Sequence, residues 1–228
     1  MNTALNKKYS FDKVHDSQKV FRLVLEAFSH PAKMVSIQDY ASSLFGEHPS
    51  FLAVAMVLLD NEVSFNTCEN RQLSDEIVSL THAKKTLVEA ADFIFICDTK
   101  DIETAIRSVR IGTLADPHKS ATIVIRNVQN TATPLHILTL SGPGIDGATT
   151  LWVTQTVLDT IALRDAQYYE YPQGIDLLFI SEEGILFAIP RLVRRIPVTQ
   201  KMHDSRNINM IPAVQTGFTR FFAFEEVE

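Results

Sequence analysis

The sequence predicts an α/β fold, a mixed central sheet flanked by helices, and three observations lead to it. Between Val63 and Arg126, strand-length apolar runs alternate with segments of helical periodicity, as they do when helices cross between the strands of a sheet. From Tyr171 to Arg191 (YPQGIDLLFISEEGILFAIPR), two continuous apolar runs, Ile175 to Ser181 and Ile185 to Pro190, flank Glu182, Glu183 and Gly184. Three connecting residues ending in Gly fit a hairpin whose last turn residue takes positive φ, and runs this evenly apolar belong in a sheet covered on both faces. Finally, 228 residues with 46% hydrophobic content can bury one sizeable core.

Taken in order, residues 1–15 read as a loose arm, 16–195 as a single domain and 196–228 as an extension. After Asp16 or Ser17 as N-cap, Val20, Phe21, Val24, Leu25 and Phe28 recur at helical spacing, and Pro31 follows that helix. Arg22 on it is either a solvated charge or a ligand contact. Pro49 opens a helix, Ser50 to Leu59, that is apolar on all sides and therefore buried. Asp60, Asn61 and Glu62 then turn the chain into a strand, Val63 to Asn66. Asp60 and Glu62 are a candidate carboxylate pair for acid–base work, although a turn in which they satisfy local backbone groups also accounts for them.

Asn70 caps a helix with Leu73, Ile77 and Leu80 on one side, and Asp92 to Cys97 reads as a buried strand. Asp98 or Thr99 caps the next helix, through Ile102, Ala105, Ile106 and Val109, with Gly112 as its stop. Strands follow at Ala121 to Arg126 and Leu135 to Leu140, and after the loop SGPGIDGATT a helix is expected from Leu151 to Asp165.

That loop is the most tempting motif. Gly142, Gly144 and Gly147 have the spacing of the dinucleotide fingerprint in a strand–loop–helix setting, and Gly142 and Gly147 with Thr149 fit a phosphate loop. Three residues weaken both readings. Pro143 removes a backbone donor, Asp146 brings a negative charge where phosphates would sit, and Ala148 stands where a phosphate loop has Lys. A tight turn between strand and helix is the favoured account of the glycines; if the loop is a site instead, the chain is a stand-alone small-molecule or phosphate-binding enzyme built on residues 142–147.

Other chemistry is sparse. A formal charge of −6 argues against a nucleic-acid binder. The two cysteines, Cys68 and Cys97, are in no metal-ligand spacing and read as reduced thiols of a cytoplasmic protein. The seven histidines form no zinc pair, no nucleophile elbow occurs, and no lysine has a recognisable setting for a Schiff base, so neither metal nor cofactor is expected. The opening MNTALNKKYSFDK lacks a signal peptide's apolar stretch, and the longest apolar run, Phe51 to Leu59, is half a membrane span, so no membrane contact is expected. Past the hairpin, Arg191, Arg194 and Arg195 form a basic cluster, and Phe218, Phe221, Phe222 and Phe224 carry enough aromatic area to dock on the domain or on a partner.

The order aromatic-Pro-x-Gly-Ile-Asp, strand, short turn, strand, Ala-Ile-Pro-Arg resembles the closing motif of the H-subunit family (PhnH) of the bacterial carbon-phosphorus lyase complex. Val20 to Ile37, Phe51 to Thr67 and Leu138 to Ile145 resemble other parts of the family pattern, with Ala32 departing from a usual Gly. The resemblance implies a fold like that of pyridoxal-phosphate-dependent transferases without the cofactor, a homodimer, and partnership with the G, I and J subunits. It also implies an accessory role in coupling an alkylphosphonate to ribose from ATP, which forms ribose methylphosphonate triphosphate. Arg22, Asp60, Gly142, Gly144, Asp176 and Arg191 are the ligand or interface candidates. Because Arg191 lies outside the apolar runs, its loss is expected to harm assembly or activity more than folding.

Overall fold

A computed structural model describes residues 10–127 and 134–196; the expected tail contacts of Phe218 to Phe224 lie outside them. The first helix, α1 (His15–Ser29), begins slightly earlier than the sequence indicates, because Asp12 is its cap: the carboxylate accepts the N–H groups of Val14 and His15 at 2.8 and 2.9 Å. Next come β1 (Val35–Ser36), the short α2 (Gln38–Ala41) and α3 (Pro49–Leu58), which starts at Pro49 and is buried from Ser50 through Ala55. The chain continues through β2 (Ser64–Asn66), α4 (Arg71–Thr81), β3 (Lys84–Lys85), β4 (Phe93–Ile96), α5 (Ile102–Ser108) and β5 (Thr122–Arg126). As expected, the Asn70 side chain caps α4 by accepting from Leu73 N–H at 3.0 Å.

The segment after Leu135 departs from expectation. Strand β6 (His136–Ser141) is followed by a second strand, β7 (Thr149–Val153), and only then by α6 (Gln155–Asp165). The two strands pair antiparallel from His136↔Val153 to Leu140↔Thr149, so the glycine loop is the tip of a hairpin. Strands β8 (Asp176–Ile180) and β9 (Ile185–Ile189) form the predicted hairpin, with Gly184 at φ +84, and β10 (Arg194–Arg195) joins the edge of β6. Gly112 is not the stop of α5, which ends at Ser108. Its φ of +77 instead serves a bend against Pro117, where a Cβ would lie 2.8 Å from the carbonyl oxygen.

Seven strands make the main sheet in the order β1-β9-β8-β5-β4-β2-β3. Neighbours from β3 through β8 run parallel, and β9 is antiparallel to both β8 and β1. The sheet is thus mixed, as predicted, and apolar layers cover both faces. Residues of α1, α3 and α4, such as Val24, Leu52 and Ile77, pack on one face. Ile106 of α5, Ile161 of α6 and Leu138 and Leu151 of the small sheet pack on the other. A parallel sheet buried on both faces explains why β4, β5 and β8 read as unbroken apolar runs.

Candidate functional site

The strand order sets where a site can form. From β2 the chain crosses by α4 to β3 on one side, then returns to β4 on the other, and the two helices flanking this reversal, α4 and α5, lie on opposite faces. Such a reversal leaves a crevice at the carboxyl ends of the parallel strands, the usual ligand position in open α/β sheets. A cavity of about 450 Å³ occupies this place, lined by His48, Asn70, Cys97, Asp98, Thr99 and Arg126 together with Glu47. A smaller one of about 280 Å³ lies beside it at the ends of β2 and β3, with Asn66, Glu69, Arg71 and Lys85 among its walls.

The chain around these cavities is positioned by local rules. Cys68 and Glu69 take positive φ, 46° and 70°, to bend the chain sharply off β2, and Asn66 supports that bend by accepting the Cys68 N–H at 2.8 Å. Asp98 follows β4 and accepts the Lys100 N–H at 3.2 Å. Arg126 ends β5; its Nη1 lies 3.3 Å from Glu182 in the β8–β9 turn, and its buried Nε has no partner among the described residues. His48 stands ahead of α3, buried, its ring edge-on to Phe51. Ser50 ties this helix start to the same turn by donating to the Glu182 carbonyl at 2.8 Å.

The electrostatics follow from burial. Desolvation draws the His48 pKa below the ordinary 6.5, with Glu47 opposing and Arg126 reinforcing. Burial pushes the Cys97 thiol up to about 11 and Cys68 to about 12, so both are protonated at neutral pH and poor nucleophiles. The crevice therefore offers a guanidinium, a neutral imidazole, a hydroxyl and carboxylates. That set can bind and orient a polar ligand but contains no activated nucleophile.

The residues singled out from sequence are scattered. Arg22 is exposed on α1. Asp60 accepts the Glu62 N–H at 2.8 Å, the expected turn arrangement. Gly142 and Gly144 are shaped by packing: a Cβ on Gly142 would meet the Leu192 carbonyl oxygen at 2.8 Å, and one on Gly144 the Ser29 carbonyl oxygen at 2.8 Å. With a strand rather than a helix after it, the loop lacks the setting both phosphate motifs need. Asp176 and Arg191 do come together, at the amino edge of the sheet, the opposite end from the crevice. The Arg191 N–H and Nε reach Asp176 Oδ1 at 2.7 and 3.3 Å, and Nη1 donates to the Pro117 carbonyl. The pair is mostly buried, and its groups are spent inside the fold.

Sequence reasoning missed His48 and Arg126, and used Asn70 and Asp98 only as caps. Their common signal is position just beyond, or just opposite, the carboxyl ends of predicted parallel strands. It also missed Arg164 on α6, whose side chain is 0% exposed. Its guanidinium donates to the carbonyls of Ile189, Pro190 and Val193 at 3.2, 3.3 and 2.7 Å and to Asp165 Oδ1 at 3.0 Å, joining α6 to the end of β9 and the approach to β10.

Comparison with known proteins adds the family. Residues 9–195 match the family described as bacterial phosphonate metabolism protein (PhnH). The chain belongs to the PhnH family. It is also similar to the "Putative C-P lyase subunit protein HtxG" of Stutzerimonas stutzeri, 29% identical over 174 residues, covering 76% of this chain and 83% of that protein. The family match over residues 9–195 spans both the crevice and the β8–β9 hairpin whose flanks carry the family resemblance in the sequence.

Proposed function

We propose that this PhnH-family chain is an accessory subunit of a carbon-phosphorus lyase complex, acting where an alkylphosphonate is coupled to ribose from ATP. The observation that carries this reading is the family match over residues 9–195, supported by a relative named as a C-P lyase subunit. The crevice supports a binding or positioning role over nucleophilic catalysis, since its thiol, Cys97, is held protonated by burial. In this reading the partners are a second copy of the chain and the G, I and J subunits, in the cytoplasm. No helix among the described residues is long and apolar enough to cross a membrane.

The seven-stranded, mostly parallel sheet with helices on both faces supports the expected likeness to pyridoxal-phosphate-dependent transferases. The described residues do not fit that cofactor. Of the lysines near the carboxyl edge, Lys100 is held by Asp98 and Lys85 by Asp75, and both are about half-exposed or more rather than set in a desolvated pocket that would activate an amine. Co-expression with candidate G, I and J subunits, followed by size-exclusion chromatography, tests the function. Co-elution as one complex is expected; assembly of the other three without this chain would refute it.

A further inference from the structure

We propose that the crevice at the carboxyl ends of β2, β4 and β5 binds a small zwitterion, its oxyanion on Arg126 and its ammonium group toward Glu47 and Asp98. The site rests on the crevice alone; that the oxyanion is a phosphonate rests on the function proposed above.

The charges lining the cavity select this class. Arg126 is its one guanidinium, and it is short of acceptors: Nη1 meets Glu182 and the buried Nε meets no described residue. Glu182 is 63% exposed, and an ion pair so open to water is held weakly, so a ligand oxyanion can take its place. A guanidinium presents a planar fork that matches carboxylate, phosphate and phosphonate oxygens alike. His48, kept neutral by burial, adds a hydrogen-bonding group without a second positive charge.

The same cavity carries Glu47 and Asp98. Asp98 stays ionised because the Lys100 N–H and ammonium hold its carboxyl below the ordinary range, and it is 53% exposed. A simple anion on Arg126 would face both carboxylates at a like-charge cost, and a simple cation would face Arg126. A molecule carrying both charges satisfies both ends, and about 450 Å³ accommodates a ligand of amino-acid size.

Calorimetric titration of the full-length chain with 2-aminoethylphosphonate, β-alanine, methylphosphonate and ethylamine tests the proposal. The two zwitterions are expected to bind at least about tenfold tighter than either singly charged probe, because each single charge leaves one end of the site unmatched. Arg126→Gln is expected to weaken 2-aminoethylphosphonate at least about tenfold, and Glu47→Gln, an exposed change with little bearing on folding, to bring it down toward methylphosphonate. Thermal melts of both variants confirm that each is folded before titration.

No heat with any probe at millimolar concentration, a singly charged probe binding as well as the zwitterions, or unchanged affinity in folded Arg126→Gln would overturn the site. β-Alanine binding well above 2-aminoethylphosphonate would keep the zwitterion site and reject the phosphonate. Absence of binding in a chain that still co-elutes with the lyase subunits rejects this inference and leaves the proposed function standing.

Discussion

Replacing Arg164 with Met keeps the side chain's bulk and removes its five donors. The carbonyl oxygens of Ile189 and Val193 then lose their Arg164 donors in the interior, the Pro190 carbonyl keeps the Val193 N–H at 2.9 Å, and Asp165 keeps Arg194, 3.2 Å away. Removing one partner from a buried charged network costs about 3–5 kcal/mol, because the groups left behind stay desolvated. For a domain of this size each kcal/mol moves the melting temperature by about 2–4 °C, so Arg164→Met is expected to melt roughly 6–20 °C below the parent. Arg194→Met is the control. That side chain is 42% exposed and touches the same aspartate, so its loss is expected to cost no more than about 1 kcal/mol. Arg164→Lys should fall between, since an ammonium keeps the charge but cannot reach the three carbonyls as a planar fork does. Differential scanning calorimetry of the three variants reads this directly. An Arg164→Met melt within about 2 °C of the parent would mean that water or rearranged backbone satisfies these carbonyls and that the arginine does not join α6 to β9.

Arg191→Ala, which keeps the backbone N–H bond to Asp176, is expected to cost about 2–3 kcal/mol of folding stability through loss of the guanidinium bonds to Asp176 and the Pro117 carbonyl, read as a lower urea midpoint. An unchanged midpoint with lost assembly would return this arginine to an interface role. Gly144→Ala should destabilise by about 3 kcal/mol, combining a positive φ of 83° with a clash on the Ser29 carbonyl, whereas Gly147→Ala, with open space around it, should cost about 1 kcal/mol. Equal costs for the two would contradict the packing of the loop on the end of α1. His48 has a folded pKa below 6.5, so below that pH the unfolded chain takes up the proton first, and stability is lost as pH falls from 6.5 toward the folded value. Urea midpoints between pH 7.5 and 5.5 should therefore decline less steeply in His48→Gln than in the parent; parallel declines would show that the loss arises elsewhere.

The parts legible in the sequence are those fixed by local rules. The β8–β9 hairpin, the wholly apolar α3 with Pro49 at its start, the Asn70 cap and the Asp60 turn each follow from neighbours in the chain. Strand β7 was misread because Val153, Val157 and Ile161 share a helical spacing that runs across Thr154. The inward Leu151 and Val153 around the exposed Trp152 are instead the two-residue period of a half-buried strand. The crevice could not be read this way. Glu47, Asn70, Cys97 and Arg126 meet only because parallel pairing sets the ends of β2, β4 and β5 side by side. Arg164 looks like any charge near a helix end until the strand that buries it is in place.

The pairing of Val35 with Leu186 has a consequence for how the chain is made. The first strand among the described residues borders the sheet beside one far along the chain, so its hydrogen-bonding partner does not yet exist while the residues between Ser36 and Ile185 are being synthesised. Contacts this distant along the chain slow folding, since a long loop must close before they form. The β1 edge must therefore wait for its partner until translation has passed Ile189, although α1 can already pack on α3. Polypeptides ending before that residue are expected to collect in inclusion bodies or on chaperones rather than fold.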